Sequence, residues 1–319
     1  MVKLVKPKFI DITSAVIKAS ARKGTLLTDQ QLIDLAPSKD LKDLLNRVKE
    51  RYPNLSSVAL TPKAIEEGFL DCYRQEISEF QKAAPDISMI LSIVWREVDE
   101  WEAVDLLKTQ LGIMAPIGEK RTRDDITALL NVMGFSIESK KATLIYEKYK
   151  VPALIDSAFA RQRIVDLSAS LARLGGSTEE KMKEYLNYKI DVFNLDLLMR
   201  GLKNDIDREA LSELLICDGG SVKSQILKEA VKQPTIEKAL TLIEGRGLPK
   251  VESARDLERY YEQKISRLMP KAYYNGYTEV GAILGYLELK LREIKDIIRI
   301  ANAISRGLEP KRIAQEFIF

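Results

Sequence analysis

Near the end of the chain, Leu287, Leu291, Ile294, Ile298 and Ala301 recur at spacings of three and four, and Ile297, Ile300 and Ile304 widen the stripe they form. That is the period of an α-helix; a half-buried strand would alternate apolar and polar residues instead. The stretch YLELKLREIKDIIRIANAISRGLEP, 286–310, therefore reads as one long helix stopped at Gly307, with Asp296, Arg299 and Arg306 mostly off its apolar face. Similar spacing runs through most of the chain, which is rich in Leu, Ile, Ala, Glu, Lys and Arg, residues that lose little on entering a helix. Segments with a strand-like look, such as ATLIYEKY, fit a helix as well. The expected fold class is all-α.

Three helix starts are marked at similar intervals. Ser38 opens SKDLKDLLNRVKERY, Ser136 opens SIESKKATLIYEKY and Thr235 opens TIEKALTLIEG, at spacings of 98 and 99 residues. Each hydroxyl is suited to cap free N–H groups, and Asp40, Glu138 or Glu237 follows in the first turn, where a negative charge is favoured. The long helices repeat as well. DEWEAVDLLK from Asp99, DVFNLDLLMR from Asp191 and EIKDIIRIAN from Glu293 each open with an acid. A polar group follows three residues on (Glu102, Asn194, Asp296), then Ala103, Leu195 or Ile297, then Leu106, Leu198 or Ile300. FLDCYRQEI with Tyr73 matches LERYYEQKI with Tyr261, and FARQRI near Phe159 corresponds loosely. The pattern divides the chain into three helical units, 1–112, 113–213 and 214–319, with breaks near GIMAPIGEKR and LLICDGGSV. The first copy is the weakest, since Glu100 stands where the others have Val192 and Ile294. Chance likeness between amphipathic helices is the competing explanation.

Composition removes several chemistries. The 319 residues include no histidine, so Ser-His-Asp triads, Cys-His dyads and imidazole metal sites are excluded. Cys72 and Cys217 are far apart in sequence and are expected as thiols, with no zinc site between them. With 50 basic and 47 acidic side chains the net charge is +3, too balanced for a bulk nucleic-acid binder. Lys3, Lys6 and Lys8 read as a solvated terminus rather than a membrane or phosphate patch. No stretch of about 18 residues is apolar and free of charge, so no membrane span is expected. The first twenty residues lack the continuous apolar core of a signal peptide.

The candidate sites each have a bland reading beside the sharp one. Glu293 and Asp296, flanked by Arg292 and Arg299, are spaced like a catalytic carboxylate pair. A pattern that returns in every unit is better explained as positioning and solubilising a helix. GIMAPIGEK fails as a phosphate loop because five residues separate its glycines and Glu119 precedes the lysine. Gly175–Gly176 and Gly219–Gly220 read as helix terminations, with an anion nest at Gly219–Gly220 as the weaker alternative. Tyr260, Tyr261, Tyr273, Tyr274 and Tyr277, interleaved with Lys264, Arg267 and Lys271, suit interhelix packing better than stacking on single-stranded nucleic acid, and a protein-interaction surface lies between the two. No catalytic, cofactor-binding or metal residue is assigned, and the interface residues are unknown.

The segment LREIKDIIRIANAISRGLEPKRI resembles the C-terminal signature of the C subunits of the V/A-type rotary ATPases of archaea and bacteria, relatives of the d subunit in the eukaryotic vacuolar enzyme. The matching positions are Glu293, Ile294, Lys295, Asp296, Ile297, Ile300, Ala301 and Gly307–Leu308, and Asp191, Asn194, Leu195, Leu198 and Arg200 match the internal form. Asp296 departs from the usual Asn. The resemblance implies three pseudo-threefold-related helical domains forming a funnel. It implies a non-catalytic rotor subunit of the central stalk, peripheral on the cytoplasmic face of the membrane. Its partners would be the central shaft subunits (D and F type) and the proteolipid ring, with membrane contact only through the ring and no cofactor. It would thereby couple ATP turnover to proton or sodium transport. A free-standing helical scaffold that binds partner proteins shares the composition, and an enzyme using carboxylates and tyrosines alone is the third reading.

Overall fold

The computed structural model describes residues 9–115, 121–174, 176–244 and 280–317, with positions 256, 260 and 263 between the last two segments. The described residues contain helices and no strand. By packing they fall into two compact units, Met1–Leu91 with Ser266–Phe319, and Ser92–Ile265.

The first unit is assembled from both ends of the chain. It contains α1 (Phe9–Lys23), α2 (Asp29–Ile33), α3 (Leu41–Val48) and α4 (Pro62–Ala83), then the C-terminal α13 (Val280–Ser305) and α14 (Pro310–Phe317). α13 packs against α4, α1, α3, α2 and α14. Its stripe of Leu287, Leu291, Ile294, Ile298 and Ala301 is buried as the spacing predicts, but so are Glu293 and Asp296, at 3% and 1% exposure. Asp296 therefore corrects the expectation of a solvated face, because neighbours surround this part of the helix. Tyr73 of α4 is fully buried and donates its hydroxyl to the Leu287 carbonyl at 3.2 Å.

α5 (Ser88–Gln110) carries the chain into the second unit. There follow α6 (Arg123–Val132), α7 (Ser136–Tyr149), α8 (Ala153–Leu174), α9 (Gly176–Lys203), α10 (Arg208–Leu214), α11 (Ser224–Val231) and α12 (Ile236–Ile243). α8 packs on α7 and α9, while α11 lies against α10 and α12 and all three lie against α9. Their shared core includes Phe159, Leu195, Leu198, Leu211, Leu227 and Leu240. α8 ends at Leu174 and α9 begins at Gly176; the helix termination expected at Gly175–Gly176 falls on Gly175, which lies outside the described residues.

The helix starts follow the sequence except in their capping chemistry. Thr235 caps α12 by accepting from Lys238 N–H, as expected. α3 is capped by Asp40 instead of Ser38, whose hydroxyl donates to the Leu35 carbonyl. An ionised carboxylate two residues nearer the helix is the stronger acceptor. Ser136 is the first residue of α7 rather than its cap, a position held by Phe135. Thr28 and Thr122 form capping boxes with Gln31 and Asp125.

Candidate functional site

The two better copies of the acid-x-x-polar pattern turn inward and grip backbone. On α9, Asp191 and Asn194 are 1% and 0% exposed. Ser221 N–H donates to both Asp191 oxygens at 2.9 Å, and Val222 N–H donates at 3.3 Å. Asn187, one turn earlier, accepts from Gly220 N–H at 3.2 Å. The Asn194 amide donates to the Ile216 carbonyl and accepts from Ile216 N–H, both at 2.9 Å. Side-chain-to-backbone bonds at Ile216, Gly220, Ser221 and Val222 thus hold the loop between α10 and α11 onto α9.

This loop corrects the reading of Gly219–Gly220 as a helix end. Both glycines adopt left-handed φ values, 95° and 84°, several residues beyond the end of α10. The anion nest is real, and the carboxylate of Asp191 fills it. A Cβ on Gly220 would lie 2.7 Å from Asp191 Oδ1, so only glycine brings the backbone this close. Burial pushes the Asp191 carboxyl up from its ordinary value, while the N–H bonds from Ser221 and Val222 pull it down.

The last copy performs the same task on α13 with other chemistry. Glu293 accepts from Leu27 N–H, just ahead of α2, from the Tyr52 hydroxyl, and from Lys290 Nζ at 2.9 Å. Lys290 also lies 4.2 Å from the centre of the Tyr52 ring, and that ring packs edge-on against Phe69. Burial, reinforced by the charge of Glu293, pushes the Tyr52 phenol far above its usual range. It therefore remains protonated and donates to Glu293 throughout the ordinary pH range. Asp296 meets Arg299 at 3.1 Å and Arg292 at 3.7 Å, and Arg292 also reaches Asp29 at 3.7 Å. A further chain of contacts joins α13 to α4 and α1: the Tyr286 hydroxyl donates to Glu76, which meets Arg22 at 2.8 Å, and Glu79 takes Arg22 and Lys18 at 2.6 Å each.

The first copy is built differently. Asp99 accepts from the Trp95 indole on its own helix, and Glu102 is exposed. Glu100, which broke the sequence pattern, pairs instead with Arg163 of α8 at 2.7 Å, beside Glu97 at 2.9 Å. Burial raises the Glu100 carboxyl above its ordinary 4.5 against the pull of Arg163.

In each latch the carboxylate is occupied by backbone N–H groups, a buried hydroxyl or a fixed cation, an arrangement that fixes its position. The ATP synthase (C/AC39) subunit family matches residues 15–316.

The chain belongs to the ATP synthase (C/AC39) subunit family.

Among its relatives, the C subunit of the A-type ATP synthase of Pyrococcus furiosus is 25% identical, over 92% of this chain and 87% of that protein. The corresponding protein of Thermococcus gammatolerans is 24% identical over 93% and 87%. That of Methanobrevibacter smithii is 21% identical over 89% and 81%.

Other candidate positions in this C/AC39 chain carry less. Cys72 and Cys217 are free, half-buried thiols, and burial raises the Cys72 thiol. A cavity of about 420 Å³ between α5, α6 and α7 is lined by Leu107, Leu130 and Leu144 among others, with Lys140 in its wall. Among the described residues no cluster of carboxylates and thiols could hold a metal ion, and no helix is long and apolar enough to cross a membrane. Of the aromatic and basic run, Tyr261, Lys264, Arg267, Lys271, Tyr273, Tyr274 and Tyr277 lie outside the described residues, as do Lys3, Lys6 and Lys8. Tyr260 packs against the core of the second unit.

Proposed function

We propose that this protein is the rotor element that joins the central shaft of an A-type ATP synthase to its membrane proteolipid ring. The observation that carries this is the family match over residues 15–316, together with relatives named as C subunits of A-type ATP synthases that align along about nine-tenths of the chain. In this role the chain binds shaft subunits of the D and F type on one side and the ring on the other, peripheral to the cytoplasmic face of the membrane. It passes rotation between ATP turnover and proton or sodium movement and performs no chemical step itself. The three sequence units, 1–112, 113–213 and 214–319, would form pseudo-threefold helical domains arranged as a funnel. Helical packing supports such a role, because close-packed interiors deform little under load.

The test is capture of the purified chain by a detergent-solubilised A-type membrane sector, with the shaft subunits supplied separately. One chain per ring together with shaft binding is the expected outcome. Binding to neither, by a chain shown to be helical, refutes the rotor role and favours a free-standing scaffold that binds other proteins.

A further inference from the structure

We infer that the two backbone latches, Asp191 with Asn194 on α9 and Glu293 on α13, are stiff joints that keep the short-helix segments from yielding under torque, so that loosening one lowers the ions moved per ATP while the complex still assembles. This rests on the rotor role proposed above.

The groups chosen argue for geometry over stability. Buried polar and ionic groups are often no more stabilising than apolar residues of the same shape. What they add is a fixed position, since a hydrogen bond tolerates far less displacement than an apolar contact. Both latches grip main chain: Ile216, Ser221 and Val222 in one, and Leu27 in the other, where the Tyr52 hydroxyl and Lys290 ammonium share the carboxylate. A bond to the backbone holds the segment whatever its side chains do. Each gripped segment lies at or beside the start or end of a short helix, namely α10, α11 or α2. The gripped residues lie 22 to 31 positions from the latch in one case and 266 in the other. The same device is thus built from local and from end-to-end connections, as a mechanical requirement would favour. The loop over Asp191 is shaped to the carboxylate, with two consecutive left-handed glycines and no room for a Cβ at Gly220.

Asp191 and Asn194 are positioning residues, and the experiment must separate stiffness from stability. The assembled A-type complex is prepared with the wild-type chain, Asn194→Leu, Gly220→Ala and, as a control, Gly201→Ala. The control crowds the buried Leu211 side chain and changes no residue of either latch. Three quantities are read: shaft and ring co-purified per chain, hydrogen exchange at the Ile216, Ser221 and Val222 amides, and ions moved per ATP in vesicles. Both latch variants should assemble normally, exchange those amides roughly tenfold faster or more, and lose ions moved per ATP with hydrolysis retained. Gly201→Ala should be less stable yet keep the wild-type ratio.

Unchanged exchange in the latch variants overturns the latch. Faster exchange with an unchanged ratio overturns the link to coupling, and so does an equal loss of ratio in Gly201→Ala. Failure of the wild-type chain to co-purify with shaft and ring overturns the rotor role itself, a separate failure visible before any variant is made.

Discussion

Replacing Glu293 by alanine should be among the most damaging single changes in the first unit. The carboxylate is 3% exposed and serves three donors: Leu27 N–H, the Tyr52 hydroxyl and the Lys290 ammonium. Lys290 is itself buried, at 9% exposure, so removal of its partner 2.9 Å away strands a cation in a region of low dielectric. Breaking a buried pair in this way costs about 3–5 kcal/mol, much of it the stranded charge rather than the lost attraction. The two abandoned neutral donors fall within the same range, and we expect a loss of about 4 kcal/mol. Lys290→Met removes the stranded charge, so Glu293→Ala/Lys290→Met should recover about 2 kcal/mol relative to the sum of the single variants. Urea unfolding followed by far-ultraviolet circular dichroism measures the three variants. Trp95 and Trp101 both lie in the second unit, so their fluorescence follows that unit separately. A single-variant loss under about 1 kcal/mol, or additive losses in the double variant, would falsify the claim that Glu293 is a buried, charge-matched latch.

Arg163→Met removes the cation that Glu97 and Glu100 share, and should cost about 3 kcal/mol at neutral pH. Because the folded Glu100 already binds its proton more readily than an ordinary carboxyl of 4.5, stability falls as pH rises from there through the raised value. Removing Arg163 should deepen that fall, so melting curves should show the variant nearest to wild type in mild acid and farthest at neutral pH; a pH-independent difference would contradict this. Gly201→Ala should destabilise the second unit by about 1–3 kcal/mol, read by tryptophan fluorescence in urea, because the fully buried Leu211 has little room to move away. Thr122→Ala removes the capping box at the start of α6 and should cost about 1 kcal/mol, with faster exchange confined to the first turn of that helix.

The helices were legible because their signal is local. The stripe on α13 could be read from residues three and four apart, and Tyr73 and Phe159, matched by sequence, are both fully buried. What failed to show was the direction of the polar groups. Asp296 read as part of the charged side of its helix, since nothing within a turn revealed that helices distant in sequence pack against α13 and leave Asp296 buried. Two of the three partners of Glu293, Leu27 and Tyr52, are more than 240 positions away along the chain. Gly219–Gly220 misled for the same reason: two glycines after a helix suggest its end, and only Asp191, about thirty residues back, reveals a nest. One signal was available. Asp191 and Asn194, three apart on α9, are poor helix formers, and the return of an acid with a polar residue three positions on in the last copy, Glu293 and Asp296, marks groups kept for a bond.

The departure at Asp296, where the related pattern has Asn, follows from charge matching within each latch. In the middle copy the second position is neutral Asn194, and the positions four before and three after it are Ile190 and Leu197. In the last copy the corresponding positions are Arg292 and Arg299, and the residue between them is Asp. A buried carboxylate at 194 would face the Ile216 carbonyl with no cation at either of those positions. A neutral amide at 296 would leave two guanidinium groups without the charge they approach at 3.7 and 3.1 Å. The first position obeys the same logic: Glu293 has Lys290 three residues before it, whereas Asp191 has Tyr188 there and is stabilised by the loop amides instead. Exchanging single residues between copies should therefore fail where exchanging the matched set succeeds. Asn194→Asp alone should destabilise the second unit by about 2 kcal/mol, since it turns a donor that serves a buried carbonyl into a second acceptor. Urea unfolding of the single variant tests this, and a change within about 0.5 kcal/mol of zero would mean that the Asn amide does not orient the loop as the hydrogen bonds require.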